Sequence, residues 1–157
     1  MSKTKLCTRC MNTLPIENFK SRGKSNGAAS YCMPCKYSAR RRVVSATYQS
    51  YLSTLYSQLK SKKRDGDVKV TLELEHLIAM WEAQDGKCAL SGVSMTHHRD
   101  GEGSKDFNAS LDRIAGGGDY SPENVQLVCY RVNLMRHVLS VDMLYWWVKN
   151  IYNHYCD

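Results

Sequence analysis

The sequence predicts an α+β chain with an N-terminal four-cysteine metal-binding module, a basic helix, and a strand–loop–strand–helix unit flanked by further helices. Three observations carry that prediction. Two CxxC pairs, Cys7/Cys10 and Cys32/Cys35, stand 21 residues apart. Apolar residues recur at helical spacing in three separate stretches. Before the last of these, SLDRIAGGGDYSPENVQLVCYRVN, Ser110–Asn133, reads as two short strands around a glycine loop, then a helix. The chain accordingly divides into 1–42 (four-cysteine module), 43–70 (basic connecting helix and linker) and 71–157 (strand–loop–strand–helix domain).

Charge and cysteine usage bound the class. The 157 residues carry a net charge of +7, unevenly spread. Residues 1–70 hold 15 Lys+Arg and 3 Asp+Glu, a net +12; residues 71–157 hold 7 and 12, a net −5. A basic half joined to an acidic half suggests a polyanion binder beside a source of carboxylates. The odd count of seven cysteines, four of them in CxxC pairs, argues for metal and against a secreted disulfide scaffold. No run of about 18 apolar residues is present, which predicts no membrane partner. The polar, basic start lacks the apolar centre of a signal peptide, so a cytoplasmic protein is expected.

Taken in order, the first element is the module. Two residues between thiolates let both grip one tetrahedral ion, and two pairs complete a closed structural site. Cys7, Cys10, Cys32 and Cys35 are therefore read as ligands of one structural Zn2+, with disulfides or free thiols as the alternatives. About 40 residues bury too little apolar surface to fold unaided, so a metal tie is physically needed.

Val44, Tyr48, Tyr51, Leu52, Leu55 and Leu59 then make one apolar stripe, predicting a helix that leaves the module and runs to about Lys63. Basic residues bracket it: Arg40, Arg41 and Arg42 before, Lys60, Lys62, Lys63 and Arg64 after. Clustering of this kind is the footprint of phosphate-backbone binding. Thr71 reads as the N-cap of the next helix, with Glu73 in its first turn and Leu74, Leu77, Ile78 and Trp81 as its stripe. QDGKC ends that helix near Gly86, CALSG (Cys88–Gly92) reads as a turn or hairpin, and MTHHRDGEGSKDFN as a polar loop. A last helix, capped by Ser140, is expected to turn Leu144, Trp147, Val148 and Ile151 inward.

Within the central stretch, NASLDRI and ENVQLV are the two strands and CYRVNLMRHVL the helix. That order lets Asp112, at the first strand's end, meet Asn133 on the helix. Both offer hard oxygens, which suit Mg2+ or Mn2+ better than zinc. His137, one turn after Asn133, is placed on the same face.

Asp112-Arg113, the GGG loop, Asn124 and Asn133 together resemble the ββα-metal core of HNH (His-Me finger) endonucleases, especially small zinc-stapled restriction enzymes and phage HNH proteins. The upstream LIAMWEAQDGKCALSG is similar to the lead-in of such proteins, so the likeness covers most of the chain. The resemblance implies a divalent-metal-dependent DNA endonuclease of a bacterial or phage-infected cell, cutting as a restriction, homing or nicking enzyme. It implies Asp112 and Asn133 as ligands of a catalytic Mg2+ or Mn2+, His137 as a third ligand in some members, and Asn124 as the residue whose amide ties the loop.

Two departures qualify the likeness. Where many members carry a second four-cysteine site, this chain reads CALS and CYRV, keeping Cys88 and Cys129 but offering Ser91 and Val132. No second zinc is expected, and the two thiols are expected to lie close as small buried groups. More consequential is Arg113, where the family's usual histidine is the general base. A guanidinium stays protonated and cannot take that proton, but its fork suits a phosphate oxygen. A structural salt bridge is the other role open to it. His97 and His98 then become the leading base candidates because their ordinary pKa is near neutral. His76, Tyr120, a water or a phosphate oxygen are the others. Loss of the base also leaves a second reading, a catalytically inactive DNA-binding protein on the HNH scaffold, and more remotely an RNA- or protein-binding zinc adaptor. Double-strand DNA is the expected partner, and cutting both strands with one site per chain favours a homodimer, in which the last helix can serve.

Overall fold

In the computed structural model of the chain, which describes residues 3–21, 27–44, 46–62, 68–98 and 105–156, the named strands pair two by two into three antiparallel hairpins. The chain is a mixed α+β protein of two units, Met1–Val44 and Ser45–Asp157.

In the first unit, β1 (Thr4–Leu6) pairs with β2 (Thr13–Pro15), and β3 (Phe19–Ser21) with β4 (Ala28–Cys32). Helix α1 (Met33–Val44) follows directly. The first CxxC occupies the turn after β1, closed by Met11 at φ 58°, whose N–H donates to the Cys7 carbonyl at 2.9 Å. The second spans the end of β4 and the first turn of α1. The buried centre is Cys7, Phe19 and Cys32, with Leu14, Ala28 and Cys35 packed against it. Among the described residues Phe19 is its only large buried side chain, so the cysteines themselves form most of the core.

The second unit begins with α2 (Tyr48–Ser61) and α3 (Leu74–Ala83). Strands β5 (Ala109–Arg113) and β6 (Val125–Cys129) pair with Asp112 opposite Gln126, and α4 (Tyr130–Arg136) and α5 (Val141–Cys156) complete it. Leu52, Leu72, Leu77, Leu127 and Val128 are fully buried and form its core. Two polar ties fix the elements around that core. The Tyr51 hydroxyl donates to the Ala109 carbonyl at 2.9 Å. The Gln84 side chain, just past α3, donates to the Leu127 carbonyl (2.8 Å) and accepts from the Leu127 N–H (3.1 Å).

Five expectations are corrected. The single helix expected between the module and Lys63 is two: α1 ends at Val44, and Thr47, extended at φ −141°, caps α2 by accepting from the Ser50 N–H. A threonine cap satisfies a free helical donor and starts a new helix instead of prolonging the old one. Helix α2 buries Tyr51, Leu52 and Leu59 inside the second unit, so 43–70 is not a separate connecting element. The N-cap of α3 is Glu73, not Thr71; its carboxylate accepts from the first turn while the His76 imidazole accepts from the Glu73 N–H. Helix α4 stops after seven residues because His137 turns to φ 46°. Finally, α5 turns in only Leu144; Trp147, Val148 and Ile151 stay 48, 43 and 57% exposed. No helix among the described residues is long and apolar enough to cross a membrane.

Candidate functional site

The four cysteines of the first unit converge. Their sulfur atoms all lie within 4.8 Å of one another, close enough to hold one metal ion. Cys10 Sγ and Cys32 Sγ are 3.9 Å apart, near the roughly 3.8 Å edge of a tetrahedron with Zn–S bonds of about 2.3 Å. Backbone donors support the cluster: the Cys32 N–H donates to Cys7 Sγ at 3.3 Å. Burial alone would raise the Cys7 thiol, but N–H groups of Cys10, Cys32 and Arg9 outweigh it and bring it to about 6. Hydrogen bonding to Cys32, then burial, pushes the Cys35 thiol up to about 12. A metal ion bound here would displace the protons that remain on the thiols.

In the second unit, β5, the glycine loop, β6 and α4 follow one another as strand, loop, strand, helix. Period-2 alternation turns Ser110 and Asp112 to the same side of β5, and α4 reaches them there. The Asn133 Nδ2 donates to Ser110 Oγ (2.7 Å) and to the Leu111 carbonyl (2.9 Å). A carbonyl can only accept, so this contact fixes the amide: its nitrogen faces the strand and its Oδ1 is turned away from it. Asp112 is buried, at 5% exposure, and both its oxygens have donors. Oδ1 pairs with the equally buried guanidinium of Arg136, and Oδ2 accepts from Gln126 Nε2 at 2.8 Å. Arg136 also donates to the carbonyls of Arg113 (2.7 Å) and Ile114 (2.8 Å), while its Nε has no partner among the described residues.

Arg136, Gln126 and Ser110 were not singled out from sequence. The signals were there: Gln126 lies two residues after Asn124 at strand period, and Arg136 lies three after Asn133 on the same helical face. His137 caps α4 at φ 46°, its N–H still donating to the Asn133 carbonyl one turn back at 3.0 Å, and it is exposed.

Asn124 knits the loop between the strands. Its Oδ1 accepts from the Ala115 N–H (2.8 Å) and its Nδ2 donates to the Asp119 carbonyl (2.8 Å). Gly118 makes room for it: a Cβ there would meet Asn124 Nδ2 at 2.8 Å. Arg113 braces the same loop, donating to the Gly118 carbonyl (2.7 Å) with its guanidinium 4.9 Å from the Tyr120 ring. Those contacts are structural ones, and none is an ion pair.

The remaining candidates are placed elsewhere. His97 packs edge-on against Trp81 (6.2 Å) and beside His98 (5.0 Å), and the His98 carbonyl accepts from Asn108 Nδ2 at 2.7 Å. His76 is committed to the α3 cap. Cys88 and Cys129 are both buried and lie beside Ser91. Burial, then the neighbouring Cys88, pushes the Cys129 thiol up to about 11.

Arg40 and Arg42 are exposed on α1, and the side chain of Arg41 lies outside the described residues. Three consecutive helical residues span about 200°, so they do not share one face. The face Arg40 does share is with Lys36, one turn back, and Lys20 of β3 joins them. Burial first, then the charges of Lys20 and Arg40, pulls the Lys36 ammonium below its ordinary value. Three cations crowded in this way attract an anion. Lys60 is instead paired with Glu73 at 3.2 Å, Lys62 follows the end of α2, and Lys63 and Arg64 lie outside the described residues.

The residues of the cysteine cluster fit a zinc ion in number, spacing and softness. At the hairpin, Asn133 offers a suitable hard oxygen, whereas Asp112 suits a divalent ion only in exchange for Arg136, which already balances its charge. Comparison with protein-family models and with curated proteins finds no match for this sequence.

Proposed function

We propose that the chain is a divalent-metal-dependent DNA endonuclease of the HNH type, stapled by one structural zinc at Cys7, Cys10, Cys32 and Cys35. The observation that carries this reading is the fixed amide of Asn133. Ser110 and Leu111 hold its nitrogen against β5, the strand that carries Asp112, which leaves Oδ1 as the ligand atom of the amide. In this reading Asp112 and Asn133 would hold a hard cation, and Mg2+ or Mn2+ there would supply the positive charge that phosphodiester hydrolysis requires. Asn124 and Gly118 keep the loop rigid behind them, and Arg113 braces that loop. Among the described residues Asp112 has Arg136 and Gln126 as its partners, and no histidine. Proton removal from the attacking water is therefore assigned to a second water or a phosphate oxygen. Lys20, Lys36 and Arg40 supply phosphate contacts that position duplex DNA without reading its sequence.

One observation favours a second reading. Arg136 neutralises Asp112 inside the protein, which suits a DNA-binding protein that keeps the scaffold without cutting. Incubation of supercoiled plasmid with Mg2+ or Mn2+ separates the two. Asp112→Asn is the control of choice, because it keeps the side chain's shape and one oxygen for Arg136. Nicking or linearisation by the wild type and not by Asp112→Asn, with both binding DNA, supports the endonuclease. Equal binding with no cutting by either protein assigns the chain to the second reading.

A further inference from the structure

Helix α5 is built for company it does not have within the second unit. Its first turn is anchored by buried Leu144 and by the Tyr145 hydroxyl, which donates to the Leu90 carbonyl at 2.8 Å. From Trp146 to Cys156 every residue is exposed, a stretch of three turns. A helix this short is marginal in water unless it packs, and its valine, isoleucine and aromatics are not strong helix formers. Nor does it carry the charge pairs of a solvated helix: Asp142 and Lys149 are its only Asp, Glu, Lys or Arg residues.

Trp147, Val148, Ile151 and Tyr155 continue the line of Leu144 at helical spacing and form one stripe. They are 43–81% exposed, and Tyr152 at the edge of the stripe 65%. With large side chains contributing about 150–250 Å² each when fully buried, and these 43–81% exposed, the stripe and Tyr152 offer roughly 500 Å², so two copies together reach the ~1,000 Å² that a specific interface clears. A membrane surface would call for a basic polar face, and α5 has a single lysine.

We propose that α5 pairs antiparallel with α5 of a second copy of this chain, about a two-fold axis at Ile151. The stripe is self-complementary in that register: Ile151 meets Ile151 and Trp147 meets Tyr155. Opposed helix dipoles favour it, and Lys149, two residues from Ile151, stays on the far, solvent-facing side of each helix. A parallel pair would instead align the two dipoles and put the two Cys156 thiols at one level of the axis. In the antiparallel pair those thiols lie about 15 Å apart along the axis, at 1.5 Å per residue. The inference stands independently of the nuclease reading, since it rests on α5 alone.

Sedimentation equilibrium of the full zinc-loaded chain tests it. The wild type runs at twice the chain mass at tens of micromolar, and Ile151→Glu weakens dimerisation at least ~100-fold by facing like charges across the axis. Ile151→Cys, in a Cys156→Ser background, forms an intermolecular disulfide under mild oxidation, whereas wild-type Cys156 does not. Unchanged circular dichroism and zinc content show that the variants are folded. A monomeric wild type, a dimer indifferent to Ile151→Glu, or ready Cys156–Cys156 cross-linking would overturn the proposal.

Discussion

Stripping the metal from the cysteine cluster should unfold the first unit and leave the second intact. The magnitude follows from what each unit buries. In the first, Phe19 is the single large buried side chain, worth about 1.5–3 kcal/mol, with partly buried Leu14 and Ala28 adding less. A structural zinc site contributes about 10–16 kcal/mol near pH 7, so the ion dominates the stability of that unit. The second unit keeps Leu52, Leu72, Leu77, Leu127 and Val128 whatever happens to the ion. The assay is a two-dimensional amide NMR spectrum before and after chelation, with zinc quantified in the released fraction. Resonances of 3–44 should collapse to the unfolded range while those of β5, β6 and α4 hold their shifts. Binding should also depend on pH with a definite sign. Cys35, near 12 without metal, is protonated at pH 7 and must lose its proton to the ion; Cys7, near 6, competes only below that pH. Affinity therefore falls as pH drops, more steeply below about 6. Unchanged shifts in 3–44 after verified zinc removal would refute the reasoning.

Three further outcomes follow from the second unit. Arg136→Met strands the Asp112 carboxylate without its counter-ion and should cost about 3–5 kcal/mol by urea denaturation, partly recovered with Asp112→Asn; a loss under about 1 kcal/mol would show the pair to be incidental. Gly118→Ala puts a Cβ 2.8 Å from Asn124 Nδ2 and should destabilise by about 1–3 kcal/mol, with the largest shift changes at Ala115 and Asp119 amides. The Glu73 carboxyl is held below its ordinary value by the Tyr56 hydroxyl and then Lys60, so its contribution is present above the unfolded carboxyl value and lost as pH falls through the folded one. Thermal melts of Glu73→Gln and wild type should differ at pH 7 and converge in acid; a constant difference would reject that assignment.

Much of this architecture was legible because local chemistry and tertiary structure agree. CxxC spacing led to the cysteine cluster, since two residues between thiolates leave little geometric freedom. The hairpin and α4 were readable because alternation and turn glycines point the same way. What escaped was set by partners rather than period. Arg136 was not singled out, and only the fold shows it buried on Asp112. The break at Thr47 was hidden because the stripe of α2 extends Val44 at the same spacing, and a single hydroxyl decided where the helix restarts. The stripe of α5 was found, but periodicity does not say what a stripe packs against.

Whether the hairpin holds a hard cation is most directly decided by titrating Mn2+ into the zinc-loaded protein and following the free-ion signal by electron paramagnetic resonance. The account predicts one Mn2+ per chain in the wild type, loss of uptake in Asp112→Asn, and tighter uptake in Arg136→Gln, where the competing cation is gone. No uptake by the wild type, or equal uptake by Asp112→Asn, would contradict it.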